Sequence, residues 1–270
     1  MNESLPLGKH QPFPEHYDPK QLCRIARYVS RKTLGIDELP FQGYDLWRVY
    51  ELSWLDIQGK PCIGALEIKI PANSDYLVES KSLKLYLGSL NQTCFIAAED
   101  LLKTIQQDLQ SLLVCSIELQ LFSVDGVLWS SERNFWGVCI DDEISENWHY
   151  HYSPQLLKIG SESLVEEKLV SHLLRSVCPV TGQPDWATLV IEYRGAEIQH
   201  AALLSYLISF RNHAEFHEQC VERIFVDLMQ QCKPQQLSVY AAYTRRGGIE
   251  INPFRSNAKQ SFIFGRAARQ

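Results

Sequence analysis

Trp47-Arg48-Val49-Tyr50-Glu51-Leu52-Ser53-Trp54-Leu55-Asp56-Ile57, then Gln58-Gly59-Lys60-Pro61, then Ile63 to Ile70: this stretch decides the fold class. The first run is rich in aromatic and β-branched residues, and the four that follow are turn formers. In the second run Leu66, Ile68 and Ile70 alternate with Glu67 and Lys69. Alternation of period two on both sides of a short turn predicts a β-hairpin with one buried face. After the polar loop Asn73-Ser74-Asp75, Ser82 to Leu87 sets Leu83, Leu85 and Leu87 against Lys84 and Tyr86 and reads as another strand. The period then changes. From Glu99 to Leu112 the apolar residues Leu101, Leu102, Ile105, Leu109 and Leu112 form a helical stripe, and Cys115, Ile117, Leu119 and Leu121 return to alternation as a half-buried strand.

The second half repeats this logic. Val165, Leu169 and Leu173 predict a helix over Ser163 to Ser176; Pro179, Gly182 and Pro184 form a turn; Trp186 to Tyr193 reads as a strand. Helices over Glu197 to Phe210 and Glu215 to Gln231 follow, and a strand over Leu237 to Thr244. Ser130 to Ser161 is polar and irregular, with acids clustered from Asp141 to Glu146, and is a place for a domain boundary. Residues before 46 carry Pro6, Pro12, Pro14, Pro19 and Pro40 and read as a loose arm with one short helix near Gln21 to Ser30. The expected fold is α+β: an arm (1–45) and two similar units (46–150 and 151–270), each an antiparallel sheet backed by helices. No crisp sequence repeat joins the halves.

Composition narrows the function. The 270 residues are 45% hydrophobic and 21% charged, an ordinary globular balance. The net charge of −6 leaves no basic surplus to replace phosphate counterions, which argues against direct nucleic-acid binding. Apolar runs such as Ala201 to Leu204 are far too short to span a bilayer, and the first twenty residues show no signal-peptide core. Eight scattered cysteines without a Cys-x-x-Cys pair suit a reducing compartment, so a cytoplasmic protein is expected, with most thiols serving as small apolar fillers.

Four places could carry chemistry. Cys178 follows Ser176-Val177 and precedes Pro179, and the run continues through Thr181-Gly182-Gln183-Pro184 to Asp185 and Trp186. A loop thiol there could be presented to solvent or substrate, with Asp185 folded back as an acid beside Trp186; the bland reading is a turn cysteine and a turn-capping aspartate. His217 shares a helical face with Val221, Ile224 and Leu228, and Glu218 sits at its edge: a site, or a satisfied core histidine. His213, His217 and Cys220 can also be read as weak zinc ligands, while His149 and His151 read as surface residues. Glu79, after Leu77 and Val78, could project from a strand end toward a planar donor pair, with Lys81 and Lys84 suited to phosphate, or could simply be a solvated charged end. Thr244-Arg245-Arg246-Gly247-Gly248 is either a phosphate-binding turn or a plain basic one. No Gly-x-Gly-x-x-Gly occurs, so a Rossmann site is not supported.

Together these segments resemble the NADPH-dependent 7-cyano-7-deazaguanine reductases, the nitrile reductases of queuosine biosynthesis. The resemblance rests on Glu79-Ser80-Lys81-Ser82-Leu83-Lys84-Leu85-Tyr86-Leu87, on Cys178-Pro-Val-Thr-Gly-Gln-Pro-Asp185-Trp, on Phe210-Arg-Asn-His213 through Phe216-His217-Glu218-Gln219-Cys220-Val221-Glu222-Arg223-Ile224, and on Tyr243-Thr-Arg-Arg246-Gly247-Gly248 with Asn252-Pro253. It runs from about Pro40 almost to the C-terminus, with the signature block in the first half and the cysteine in the second. It implies tandem tunnelling-fold units, a homodimer, and NADPH as a co-substrate consumed twice per turnover. It also implies Cys178 as nucleophile, Asp185 as proton donor and His217 as proton-transfer residue. The deazapurine substrate would be held by Glu218 and Glu79 with His217 and groups around Val78 and Ser80. Ser80, Lys81, Arg246 and Gly247 would meet NADPH. No metal is implied. The rival from another class is a zinc-dependent hydrolase akin to the GTP cyclohydrolases, with Cys178 or Cys220 and His213 or His217 as ligands.

Overall fold

The computed structural model describes residues 14–125, 137–145, 148–258, 265–267 and 269–270. Its strands are β1 (Arg24–Ala26), β2 (Gln42–Leu55), β3 (Pro61–Pro71), β4 (Tyr76–Val78), β5 (Glu118–Phe122), β6 (Val138–Cys139), β7 (Ile159–Val177), β8 (Pro184–Ile198), β9 (Gln236–Tyr243) and β10 (Ile249–Ser256). Its α-helices are α1 (Tyr28–Thr33), α2 (Ser80–Ser89), α3 (Ala98–Leu113), α4 (His200–Ser209) and α5 (His217–Gln231). The class is α+β, with helices packed on largely antiparallel strands. The chain divides into two compact units. One takes its described residues from Met1–Arg31, Leu46–Leu128 and Arg245–Glu250, the other from Lys32–Asp45, Trp129–Thr244 and Ile251–Gln270.

In the first unit β5, β3 and β2 lie side by side, and α3 packs on β5 and β4. α3 forms where the sequence predicts it: Leu101, Ile105, Leu109 and Leu113 recur every fourth residue and are fully buried, and Glu99 and Asp100 in the first turn suit the helix dipole. In the second unit the order is β10-β9-β8-β7-β6, with α4 against β7 and α5 against β9.

Four elements depart from the sequence expectation. Ser82–Leu87 is not a strand but part of α2: its less buried residues Lys81, Lys84 and Gly88 fall on one helical stripe, and Leu83, Leu85, Tyr86 and Leu87 are all buried around it. Ser163–Ser176 is not a helix but most of β7, paired with β8 from Ile159↔Ile198 to Val177↔Pro184. Register shifts, one of them between Ser171 and Leu174, break its alternation and leave His172 and Leu173 exposed in succession. The helix expected near Gln21–Ser30 is a single 3-10 turn at Pro19–Gln21, then β1, then α1. β10 lay hidden because Glu250, Asn252, Pro253 and Arg255 spoil its pattern, although all eight residues are buried.

The two units share a detailed hydrogen-bond plan. In the first, Tyr86 and Tyr17 both donate to Asp108 (2.6 and 2.7 Å), the Asp18 amide donates to Ser89 Oγ, and Ser89 donates to the Tyr86 carbonyl. In the second, Tyr206 and Tyr152 donate to Asp227 (2.5 and 2.9 Å), the Ser153 amide donates to Ser209 Oγ, and Ser209 donates to the Tyr206 carbonyl. The same correspondence reaches the hairpins. Leu55 bonds to both Thr93 and Phe95 as Val177 bonds to His213 and Glu215, and the turn closed by the Asp56 amide on Lys60 O matches that closed by the Cys178 amide on Gln183 O. The fold is thus duplicated, and where the second unit carries Cys178 the first carries Asp56, which accepts from the Gln58 and Lys60 amides and merely holds its turn.

Candidate active site

The second unit gathers one set of candidate residues. Cys178 follows the last β7–β8 pair, Val177↔Pro184, and Asp185 lies opposite Ser176. Strand alternation puts Cys178 on the side of Ser176, so the thiol and the Asp185 carboxyl project from the same side of the hairpin, with β-carbons roughly 7 Å apart for such a diagonal pair. The turn is rigid: the Cys178 amide donates to Gln183 O (2.8 Å), the Gly182 amide to Cys178 O (3.0 Å), and the Val177 amide to His213 O (2.9 Å). Cys178 is only 4% exposed and Asp185 3%, so the thiol is not presented to solvent as a loop residue would be; it sits at the buried foot of the hairpin.

His217 opens α5, and its Nε2 lies 3.4 Å from Asp185 Oδ1. The imidazole stacks face to face on Tyr243 of β9, centroids 3.8 Å apart and planes within 2°. Stack and carboxylate together fix the ring in plane and in direction. The helix start is set by Gln219, whose side chain accepts from the Phe216 amide. Glu218 lies beside His217 in the first turn, at the edge of the stripe, and is buried. Beneath them are Ser176, Cys220 and Tyr243; burial drives the Cys220 thiol and the Tyr243 hydroxyl far above their ordinary pKa ranges, which keeps both protonated.

The first unit gathers another set. Glu79 is not a projecting strand end: it caps α2, accepting from the Lys81 amide (2.7 Å) and the Ser82 amide (2.8 Å). It is 1% exposed, and burial raises its carboxyl above the usual range against the pull of those two amides, Lys84 and Lys81. Val78 ends β4 and Ser80 begins α2, so all three adjoin the helix N-terminus. Lys81 and Lys84 lie on the less buried stripe of α2. The turn Arg246–Ile249 is closed by the Arg246 amide on Ile249 O, with Gly247 (φ +57°) and Gly248 (φ +71°) in the left-handed region. A Cβ at Gly247 would lie 3.2 Å from Lys84 Nζ, so turn and amine form one cradle that a side chain would fill. Arg245 lies over Tyr50. Lys84 and Arg245 thus lie around this glycine turn, together with the Glu51 carboxylate, which a Cβ at Gly248 would meet at 2.4 Å.

The zinc reading lacks a converging set of ligands. His213 Nε2 lies 3.0 Å from Glu215, which Arg223 and His213 hold below the usual carboxylate range in spite of its burial, and His217 faces Asp185. Among the described residues, no three ligating side chains converge around Cys178, Cys220, His213 or His217. His149 and His151 are exposed, as expected.

The chain is similar to known proteins over its whole length. Residues 13–121 match the family described as nitrile reductase, 7-cyano-7-deazaguanine-reductase N-term, and residues 184–261 match the family described as QueF-like protein. The NADPH-dependent 7-cyano-7-deazaguanine reductase of Desulfotalea psychrophila is 46% identical over 273 residues, covering 100% of this chain and 99% of that protein. The chain belongs to the 7-cyano-7-deazaguanine reductase family. A solved structure, that of the archaeosine synthase QueF-Like in the apo form, is similar at 23% identity and a TM-score of 0.32, over 37% of this chain and 99% of that one. In this member of the reductase family Tyr243 is the residue whose place beside His217 sequence reasoning did not assign. The β8–β9 pair Ala187↔Tyr243 brings it there, and no local pattern in the sequence encodes that pairing.

Proposed function

We propose that the chain reduces the nitrile of 7-cyano-7-deazaguanine to the amine of 7-aminomethyl-7-deazaguanine, for queuosine biosynthesis. The single observation that supports the reading is a buried hairpin that carries both Cys178 and Asp185, with His217 Nε2 3.4 Å from Asp185, in a chain alike from end to end to a reductase of that name. A nitrile carbon accepts hydride poorly until it is polarised, and thiolate addition splits the hard step into easier ones. Cys178 Sγ bonds to the nitrile carbon while Asp185 gives a proton to the nitrogen, forming a thioimide. NADPH supplies the hydride equivalents, two for a four-electron reduction. Once the carbon is saturated Cys178 leaves as thiolate, freeing an imine, and His217 carries the protons that the developing amine takes up. Burial around Cys178 excludes the water that would hydrolyse that imine. Glu218 and Glu79 hold the deazapurine ring with Val78 and Ser80; Ser80, Lys81, Arg246 and Gly247 hold NADPH.

The arm and tandem tunnelling-fold units, the homodimer and the cytoplasmic location belong to the same reading. Sedimentation velocity tests the dimer. No described helix is long and apolar enough to cross a membrane. The decisive assay supplies 7-cyano-7-deazaguanine and NADPH: two NADPH oxidised per aminomethyl product supports the proposal, and no NADPH oxidation overturns it.

Two substitutions test the first unit. Arg246→Ala is expected to raise the NADPH KM more than the nitrile KM; equal effects would count against its assignment. Glu79→Ala is expected to cost about 1 kcal/mol of stability through the lost cap and to raise the nitrile KM. Glu79→Gln keeps one acceptor oxygen where the two helix amides use two, so it is expected to recover part of the lost melting temperature but not the KM. If Gln restores both, Glu79 is a cap and nothing more.

A further inference from the structure

The geometry points to a divalent transition-metal site, of the zinc class, formed by Cys139, Asp141 and His172 in the second unit. The sulfur, a carboxylate oxygen and an imidazole nitrogen all lie within 4.8 Å of one another. In a tetrahedral zinc site, bonds of 2.0–2.3 Å set neighbouring ligand atoms roughly 3.5 Å apart, so closure needs about an ångström of movement, within reach of a cysteine rotamer.

Three features hold the ligands in place. β6 runs parallel to β7, with Cys139 paired to Val170, and Gly137 lies so close to β7 that a Cβ there would meet the Lys168 carbonyl at 2.5 Å. Asp141 accepts from the buried Ser171 hydroxyl (2.6 Å) and from the His172 amide (2.9 Å). The His172 ring places Nδ1 3.0 Å from the hydroxyl of the buried Thr188, so Nε2 is the nitrogen that would ligate. A hydroxyl on the histidine and donors on the carboxylate are the outer contacts that orient metal ligands. The strand irregularity between Ser171 and Leu174 gives His172 its exposed position.

The chemistry selects the ion. One thiolate, one imidazole and one carboxylate suit a borderline-soft cation and leave a fourth position for water; magnesium and calcium would want oxygen alone. Binding breaks the Cys139 S–H bond, forms a sulfur–metal bond and releases the proton to solvent, without redox change. The acids Asp142 and Glu143 adjoin the site, while the nearby cation Arg269 is directed to the His172 and Ala187 carbonyls. Six residues of extended chain, roughly 20 Å, separate His172 from Cys178, so the site stands apart from the reactive thiol and does not rest on the proposed reaction.

Cobalt(II) titration of chelator-treated protein tests it. One equivalent is expected to raise a thiolate-to-cobalt charge-transfer band in the near ultraviolet and the strong visible bands of tetrahedral cobalt, both displaced by zinc. Cys139→Ser and His172→Gln should weaken binding at least tenfold, whereas Cys94→Ser and Cys178→Ala should keep the spectrum and Cys139→Ser should keep wild-type turnover. No band at one equivalent, a band that survives in Cys139→Ser, or a band lost in Cys178→Ala overturns the proposal.

Discussion

Cys178→Ala is expected to lower nitrile reduction by at least about 10⁴-fold while leaving deazapurine binding largely intact, because it removes the atom that forms the covalent bond and little else. The hairpin foot is closed by backbone bonds from the Cys178 and Gly182 amides, which alanine keeps, and the side chain lost is small. The variant should therefore fold, and its melting temperature is the control. Mixing wild-type protein with 7-cyano-7-deazaguanine and no NADPH should give a new near-ultraviolet band and a mass gain of one substrate. Both should be absent from the variant. A variant that turns over near the wild-type rate would refute the covalent route; wild-type protein that binds the nitrile but gains no mass would remove the mechanism and leave the pocket.

The parts of this site that could be read from sequence are those that local spacing encodes. Cys178 and Asp185 flank one turn, and His217 and Glu218 open one helix, so each pair is visible in a short window. The partners that orient them are not. Tyr243 reaches its place beside His217 through a strand pairing with Ala187, 56 residues earlier in the chain, and Glu79 proves to be a helix cap only once α2 is known to be a helix. That error is instructive. Leu83-Lys84-Leu85-Tyr86-Leu87 alternates by chance because α2 is buried nearly all round, and a helix of that kind has no polar face long enough to show its period. In β7 the converse happened: a register shift imitated helical spacing. The α3 helix was legible because it has one clear apolar face, α5 because Val221, Ile224 and Leu228 recur at helical spacing, and the β2–β3 hairpin because turn formers separate two β-rich runs. The duplication was also written in the chain, as Tyr17-Asp-Pro-Lys-Gln-Leu22 against Tyr152-Ser-Pro-Gln-Leu-Leu157 and Tyr86-Leu-Gly-Ser89 against Tyr206-Leu-Ile-Ser209. These matches are short and unevenly spaced, and only the shared tyrosine–aspartate bonds give them meaning. With the copies aligned by those bonds, His217 falls where α3 begins with Ala98, and Cys178 where the other turn has Asp56. A duplicated fold needs each reactive group only once, which frees the other copy to diverge.

Arg255→Met is expected to destabilise the protein by about 3–5 kcal/mol, lowering the melting temperature by about 10 °C. Arg255 is fully buried, with Nη1 2.8 Å from Asp45 Oδ1 and Nη2 2.9 Å from Glu222 Oε1, and both carboxylates are buried with it. Burial works against the guanidinium charge, but Asp45 and Glu222 outweigh it and hold the arginine charged more firmly than in water. The variant takes the guanidinium charge from two buried carboxylates, and their burial then raises their folded-state pKa above the unfolded value. Its folded state then binds more protons than its unfolded state, so its stability falls as pH rises through that window, and the deficit against wild type should be larger at pH 8 than at pH 5. Thermal melts at the two pH values measure this. Adding Asp45→Asn and Glu222→Gln should recover much of the loss, since neutral amides no longer need the arginine. An unchanged melting temperature in Arg255→Met would show that the triad contributes nothing net. The expected result bears on catalysis as well. Glu222 lies one helical turn beyond Glu218 on α5, so the ion cluster that ties α5 to β10 also fixes the helix end that carries His217, and a partly destabilised variant should lose turnover before it loses its fold.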